Sequence, residues 1–211
     1  MKLVTDFEPI FEAFIKKEMT LDVAHDLSHV TRVVAMAKSL AKQEKGNLWV
    51  VLPAAYLHDC FTFAKNHPQR QLSSQLAADK AVQFLASIRY PSYTFSDVHH
   101  AICAHSYSAD ITPTTIEAKI VQDADRIDSL GAIGIARCIQ VSSGFNGELY
   151  SAEDPFAEQR SLDDKAFTVD HFFAKLFKLP ELMHTKSGKK EAHKRALFMR
   201  QYLNQLRQEI G

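Results

Sequence analysis

Apolar positions recur along this chain at intervals of three and four, and almost nowhere in strict alternation. Phe7, Ile10, Phe11, Phe14 and Ile15 fall on one helical face, and Thr5 with Glu8 has the spacing of a capping box. Val30, Val33, Val34, Ala37 and Leu40 mark a second helix, stopped near Gly46. Asn47 can cap a third that runs to about His58; Pro53 inside it predicts a kink or a place near the first turn. A fourth helix is expected over about 68–88, with Leu72, Leu76, Val82, Leu85 and Ile88 apolar. Ser96 can cap a fifth through DVHHAICAH. The loop SYSADITPTT then leads to a sixth, IEAKIVQDADRIDSL. GAIGIARCIQ reads as helix despite two glycines, which points to tight packing. The longest expected loop is 143–160, and two further helices, about 163–178 and 188–209, end the chain. With no run of alternation long enough for a sheet, the expected fold is all-α. The expected organisation is a single helical domain over 1–211, with C-terminal helices from 161 onward packed on the rest.

Composition narrows the function. A chain of 211 residues builds one sizeable core or at most two small ones. Lysine plus arginine (25) equals aspartate plus glutamate (25), so there is no electrostatic footprint for nucleic acid or an anionic membrane. A small substrate is the expectation. Only seven glycines and seven prolines occur, which favours helices over turn-rich β folds. Cys60, Cys103 and Cys138 are widely spaced and form no C-x-x-C, so neither a disulfide framework nor a thiolate zinc site is suggested. The first residues do not read as a signal peptide and no run reaches membrane-spanning length, so a cytoplasmic location is expected.

Two His-Asp dipeptides stand out, His25-Asp26 and His58-Asp59. Either alone has a plain explanation: a core histidine bonded to a carbonyl, followed by a polar helix stop. The sharper reading draws in His29, beside the apolar face of the second helix, and Asp125, beside the buried positions Ile120, Val121 and Ile127. Divalent metals take neutral imidazole nitrogen and carboxylate oxygen. Two histidines and two aspartates leave room for water, so such a centre would be open and catalytic.

The order HDLSHVTRVV, LHDCFTFAKNHPQRQLSSQLAADKA, ICAHSYS, EAKIVQDADRIDSLGAIGIAR resembles the HD-domain superfamily of metal-dependent phosphohydrolases. It is similar in particular to small stand-alone bacterial members that act on nucleotides. The motifs cover 22–137. The resemblance implies a helical HD-domain fold and one divalent ion held in the pattern H…HD…D by His29, His58, Asp59 and Asp125. His25 competes with His29 as first ligand; His29 is preferred because H-x-x-R-V matches the family motif. Asp123 competes with Asp125, preferred because ADRI matches the family segment. The unused pair have plainer roles: His25 lines the site or caps the helix, and Asp123 is solvated.

An ion bound by two carboxylates and two imidazoles is formally neutral, so a polyphosphate needs cations from elsewhere. Lys65 and Arg70 follow the second His-Asp pair, and Arg126 lies in the last of these segments. Asp59, His105 and Asp128 are the catalytic candidates; Asp128, at i+3 from Asp125, would orient water or a ligand. Lys65, Arg70, Arg126 and His25 are the substrate-binding candidates. Tyr107 and Phe145 could stack on a base, though single aromatics usually belong to a core. GAIGIAR follows no strand and is not G-x-G-x-x-G, so helix-to-helix contact explains it better.

The expected activity is hydrolysis of a nucleoside triphosphate to monophosphate and pyrophosphate, with Mn, Fe, Co, Ni or Mg as the ion. Alternatives are a 5′-nucleotidase or phosphodiesterase on the same site, and a non-catalytic nucleotide-sensing module. A metalloprotease reading of HDLSH is weaker, because Asp26 is a methylene shorter than the usual glutamate base. Homodimerisation is compatible with these expectations; nucleic-acid and membrane partners are not expected.

Overall fold

The computed structural model describes residues 3–18, 27–63 and 67–211, and every regular element among them is a helix. One isolated bridge joins Glu148 to Phe167. The expected all-α class is therefore what the chain adopts. Its contacts divide it into two compact units, Met1–Asp125 and Arg126–Gly211.

In the first unit a 3-10 turn, Val4–Phe7, runs into α1 (Glu8–Glu18). The expected Thr5–Glu8 box is not what starts it. The turn is already wound at Val4, and the Asp6 carboxylate accepts the Leu3 N–H at 2.8 Å. Helix α2 (Leu27–Glu44) buries Val30, Val33, Val34, Ala37 and Leu40 as its spacing predicts, with His29 on the same side. Helix α3 (Leu48–Leu57) starts where expected, with Asn47 Oδ1 accepting the Trp49 N–H at 3.0 Å.

Helix α3 is the centre of this unit. It touches α1, α2, α4 (Ser73–Ser87) and α5 (Phe95–His105), so it is apolar all round. Pro53 lies in its interior and lacks the N–H that would serve the Trp49 carbonyl. The Tyr90 hydroxyl donates to that carbonyl at 2.8 Å and fills the gap.

Helix α4 follows a 3-10 turn at Arg70–Leu72, and α5 follows another at Ser92–Thr94. Ser96 is thus not the cap of α5, which is already wound from Phe95. The core face of α4 is Ala77, Ala78, Ala81 and Leu85, whereas Leu72 and Leu76 are 45% and 38% exposed. Small residues let α4 approach α5 closely, and α5 answers with Ala101 and Ala104. Helix α6 (Ile116–Ile127) buries Ala118, Ile120, Val121, Ala124 and Ile127, and its Glu117 accepts the Asn47 N–H at 2.9 Å.

The second unit contains α7 (Gly131–Gly144), α8 (Thr168–Ala174) and α9 (Lys186–Ile210). The two glycines of GAIGIAR have separate reasons. Gly131 sits at φ +76° against the side chain of Arg195 on α9, and a Cβ on Gly134 would collide with the Ser129 carbonyl. The eighth helix is shorter than expected because the chain before it folds around Asp170. That buried carboxylate accepts from Arg160 at 2.6 and 2.8 Å and from the Asp163 N–H at 2.6 Å.

Candidate metal centre

Three helix ends of the first unit carry the chemistry. His29 is the third residue of α2, His58 and Asp59 follow directly on α3, and Asp125 lies in the last turn of α6. Why α3 ends where it does is visible in His58. Its Nδ1–H donates to the Ala55 carbonyl at 2.9 Å, so the ring itself satisfies a carbonyl that the helix end leaves open. That bond fixes the tautomer and turns Nε2 inward.

The donors converge. His29 Nε2 and His58 Nε2 are 3.4 Å apart. Asp125 Oδ1 lies 3.3 Å from His29 Nε2 and 3.9 Å from His58 Nε2. Asp59 Oδ2 lies 3.4 Å from His58 Nε2 and 3.9 Å from His29 Nε2. Ligands held about 2.1 Å from one ion stand roughly 3–4 Å from each other, so the trio His29, His58 and Asp125 has the spacing of a divalent-cation site, with Asp59 Oδ2 beside both imidazoles. Both histidines are buried, while Asp125 is partly open to solvent.

Without a cation, the histidines play its electrostatic part. Burial works to lower the His58 imidazole, but the charge and hydrogen bond of Asp59 and the charge of Asp125 outweigh it and hold it up at about 9. Burial works to raise both carboxyls; His58 and His105 hold Asp59, and His29 with His58 holds Asp125, well below the usual carboxylate range. The centre is thus poised to exchange protons for a metal ion.

His105, the last residue of α5, approaches Asp59 from the other side. Its Nε2 is 3.5 Å from Asp59 Oδ1, and its Nδ1–H donates to the Ile102 carbonyl at 2.5 Å. Asp59 therefore turns Oδ2 to the two inward imidazoles and Oδ1 to His105. A second trio, His58, Asp59 and His105, also has metal-ligand spacing. His58 offers the same Nε2 to this trio and to the trio with His29 and Asp125.

This geometry coincides with a family match. The HD domain model matches residues 26–130. The chain is also 32% identical over 190 residues to the YpgQ protein of Bacillus subtilis, covering 88% of this chain and 84% of YpgQ. The chain belongs to the HD-domain superfamily of hydrolases. Solved HD proteins extend the likeness over almost all of it. The crystal structure of Bacillus subtilis YpgQ in complex with ADP has 29% identity and a TM-score of 0.75, covering 98% of this chain and 96% of that one. An HD-superfamily hydrolase from Bacillus thuringiensis has 30% identity and a TM-score of 0.73, covering 98% and 95%.

Within this HD chain the other expected site residues fall out differently. His25 and Lys65, with the HDLSH pair partner Asp26, lie outside the described residues. Arg70 donates to the Phe63 carbonyl at 2.7 Å, and its turn packs against the turn at Tyr107–Ala109, just past His105. Arg126 donates to the Leu182 carbonyl at 3.1 Å. Asp128 lies past the end of α6, buried, and accepts from Arg137 at 2.5 Å. Asp123, expected to be solvated, is instead fully buried, because its place on α6 faces inward. Tyr107 is 65% exposed and Phe145 is also exposed, so neither is a core aromatic.

One contributor escapes sequence reading. Gln122 is buried on α6, and its Nε2 donates to the Ala104 carbonyl at 2.5 Å, tying α6 to the last turn of α5. A glutamine one turn before Asp125 was the available signal, but nothing in the pattern says which carbonyl it reaches.

Proposed function

We propose that this HD chain, taken as one domain over 1–211, is a metal-dependent phosphohydrolase acting on a small nucleotide. Nucleoside triphosphates cleaved to monophosphate and pyrophosphate are the favoured substrates. The carrying observation is the convergence of two imidazole nitrogens and two carboxylate oxygens at 3.3–3.9 Å. His29, His58, Asp59 and Asp125 would hold the ion, one of Mn, Fe, Co, Ni or Mg. When bound, it supplies Lewis acidity towards water and a phosphoryl oxygen.

The protein does the rest. His105 orients Asp59 through Oδ1 and is, with Asp59 and Asp128, a catalytic candidate. Arg70 and Lys65 supply the positive charge that a neutral ion centre lacks. Arg70 sits in a turn packed beside the one that follows His105. Arg126 and Asp128 are further candidates; like Arg70, each also holds another group of the chain. A relative crystallised with ADP supports a nucleotide as the ligand class.

The test is a panel of nucleoside mono-, di- and triphosphates, with phosphate and pyrophosphate assayed separately and each divalent ion supplied in turn. Pyrophosphate release from a triphosphate is expected. Turnover of monophosphates alone would replace this reading with a nucleotidase. No turnover of any nucleotide by protein shown to carry metal would leave a sensing module. Replacing Lys65 with methionine and Arg70 with glutamine should leave metal affinity nearly unchanged. Triphosphate kcat/KM should fall by roughly ten- to a hundredfold per residue, at about 1.5–3 kcal/mol for each charge-assisted contact.

A further inference from the structure

A second cluster of reactive side chains lies between α4 and α5, built from residues other than those of the HD centre. Cys103 and His99 are four residues apart on α5, so they share one face. Cys103 Sγ is 3.6 Å from His99 Nδ1 and donates to Gln75 Oε1 at 3.4 Å. On the far side of the ring, His99 Nε2 is 2.9 Å from Asp79 Oδ1. Gln75 and Asp79 are themselves one turn apart on α4, and Gln75 Nε2 donates to Asp79 Oδ1 at 3.3 Å.

His99 Nε2 faces both Asp79 Oδ1 at 2.9 Å and Gln75 Nε2 at 3.1 Å. In the tautomer that gives the Nε2 proton to Asp79, the Nδ1 lone pair faces the thiol. A carboxylate behind an imidazole is the usual outer support of a metal-bound histidine. The separation of sulfur and nitrogen is also that of two ligands on one zinc-sized ion, with metal–sulfur about 2.3 Å and metal–nitrogen about 2.0 Å. Access comes from the solvent side: Gln75 and Asp79 are exposed and His99 is half-buried, with Cys103 at the base, 4% exposed.

We propose that Cys103 and His99, with Gln75 Oε1 as a third donor and Asp79 holding the imidazole, form an accessory site for a thiophilic divalent cation of the zinc and cadmium class. On binding, a sulfur–metal bond forms, the S–H bond breaks and its proton passes to water. A water completes the coordination. Cys60 does not offer this. It donates to the Ala77 carbonyl at 3.3 Å, in a setting built of backbone. A nucleophilic role for the Cys103–His99–Asp79 series is disfavoured, because burial pushes the Cys103 thiol up to about 11 and leaves it protonated unless a cation takes the proton's place.

The ligand chemistry makes this separable from the HD centre, which has only nitrogen and oxygen donors. Cobalt(II) titrated into the full-length protein should produce a near-ultraviolet thiolate-to-cobalt charge-transfer band. Asp59→Ala, which disables the HD centre, should retain the band. Cys103→Ser should abolish it. His99→Gln should weaken the cobalt affinity read from the band by at least about tenfold, and Asp79→Asn by about tenfold as an outer-shell loss. No band in the parent protein, a band surviving Cys103→Ser, or undiminished affinity in His99→Gln would each overturn the proposal. Should Cys103→Ser not fold, the half-exposed His99→Gln variant decides it.

Discussion

His58 closes a helix and faces the metal centre with the two nitrogens of one ring. Nδ1–H is committed to Ala55, so only Nε2 titrates or binds an ion. With its pKa held at about 9, each ion that enters near neutral pH must displace a proton. Metal affinity is therefore expected to rise with pH up to about 9. Calorimetry in buffers of different ionisation enthalpy should show proton release that fades above that value. Stability without metal has the opposite edge. The raised His58 contributes fully below its ordinary 6.5 and loses its contribution as pH climbs through about 9. The depressed Asp59 and Asp125 contribute above their ordinary 3.8 and lose it as pH falls. Metal-free protein should thus gain most from the cluster between about 4 and 6.5, and its Tm should drop towards pH 9. Saturating metal should remove that alkaline drop. At this same scale, Asp59→Ala should abolish turnover with helicity intact, which circular dichroism and assay can check together. His29→Ala should cost far more metal affinity than His25→Ala; the reverse order in a metal titration would make His25 the ligand. That His29, His58, Asp59 and Asp125 come together was legible from their place beside apolar helical faces. The division of Asp59 between His58 and His105 was not, because sequence spacing does not say which oxygen faces which ring.

Elements were legible where a side chain acts on its own neighbours. Asn47 caps α3 because its oxygen reaches two residues on, and the α2 stripe is buried because it is continuous. Legibility failed where small residues do the packing. The leucines of α4 suggested one face, while Ala77, Ala78 and Ala81 buried another to let α5 come close. It failed again at Val4–Phe7 and Ser92–Thr94, where 3-10 turns start helices ahead of Thr5 and Ser96, the residues expected to cap. Pro53 gives an element-scale test. Tyr90 replaces the hydrogen bond that this proline denies Trp49, and burial pushes its phenol up, so it stays a donor at all working pH. Tyr90→Phe should cost about 1–3 kcal/mol, the penalty for a buried carbonyl left without a partner. Denaturant unfolding would report it, with metal affinity unchanged. A loss of metal affinity instead would mean that the hydroxyl positions the end of α3.

For the molecule as a whole, the all-α class and the HD family were both readable in advance, because several motifs recur in one order and no alternation competes. The stretch before α8 was not. Its form depends on Arg160 and Asp163 reaching one buried carboxylate, Asp170, a meeting set by tertiary structure rather than by any local pattern. No described helix is long and apolar enough to cross a membrane. Metal at a hundred times its dissociation constant should stabilise the native state by about 2.7 kcal/mol.

The donors at the HD centre are separated by about 30 residues between His29 and His58, and by nearly 100 between His29 and Asp125. An unfolded chain therefore offers an ion single imidazoles and carboxylates, never the set. We predict that loops of that length close only once α2, α3 and α6 have docked, with the ion arriving after the slow step as a lock on a finished structure. In time rather than energy, chelation should speed unfolding and leave the refolding rate unchanged in stopped-flow experiments. Slower refolding without metal would mean that the three helix ends gather around the ion while the fold is still forming.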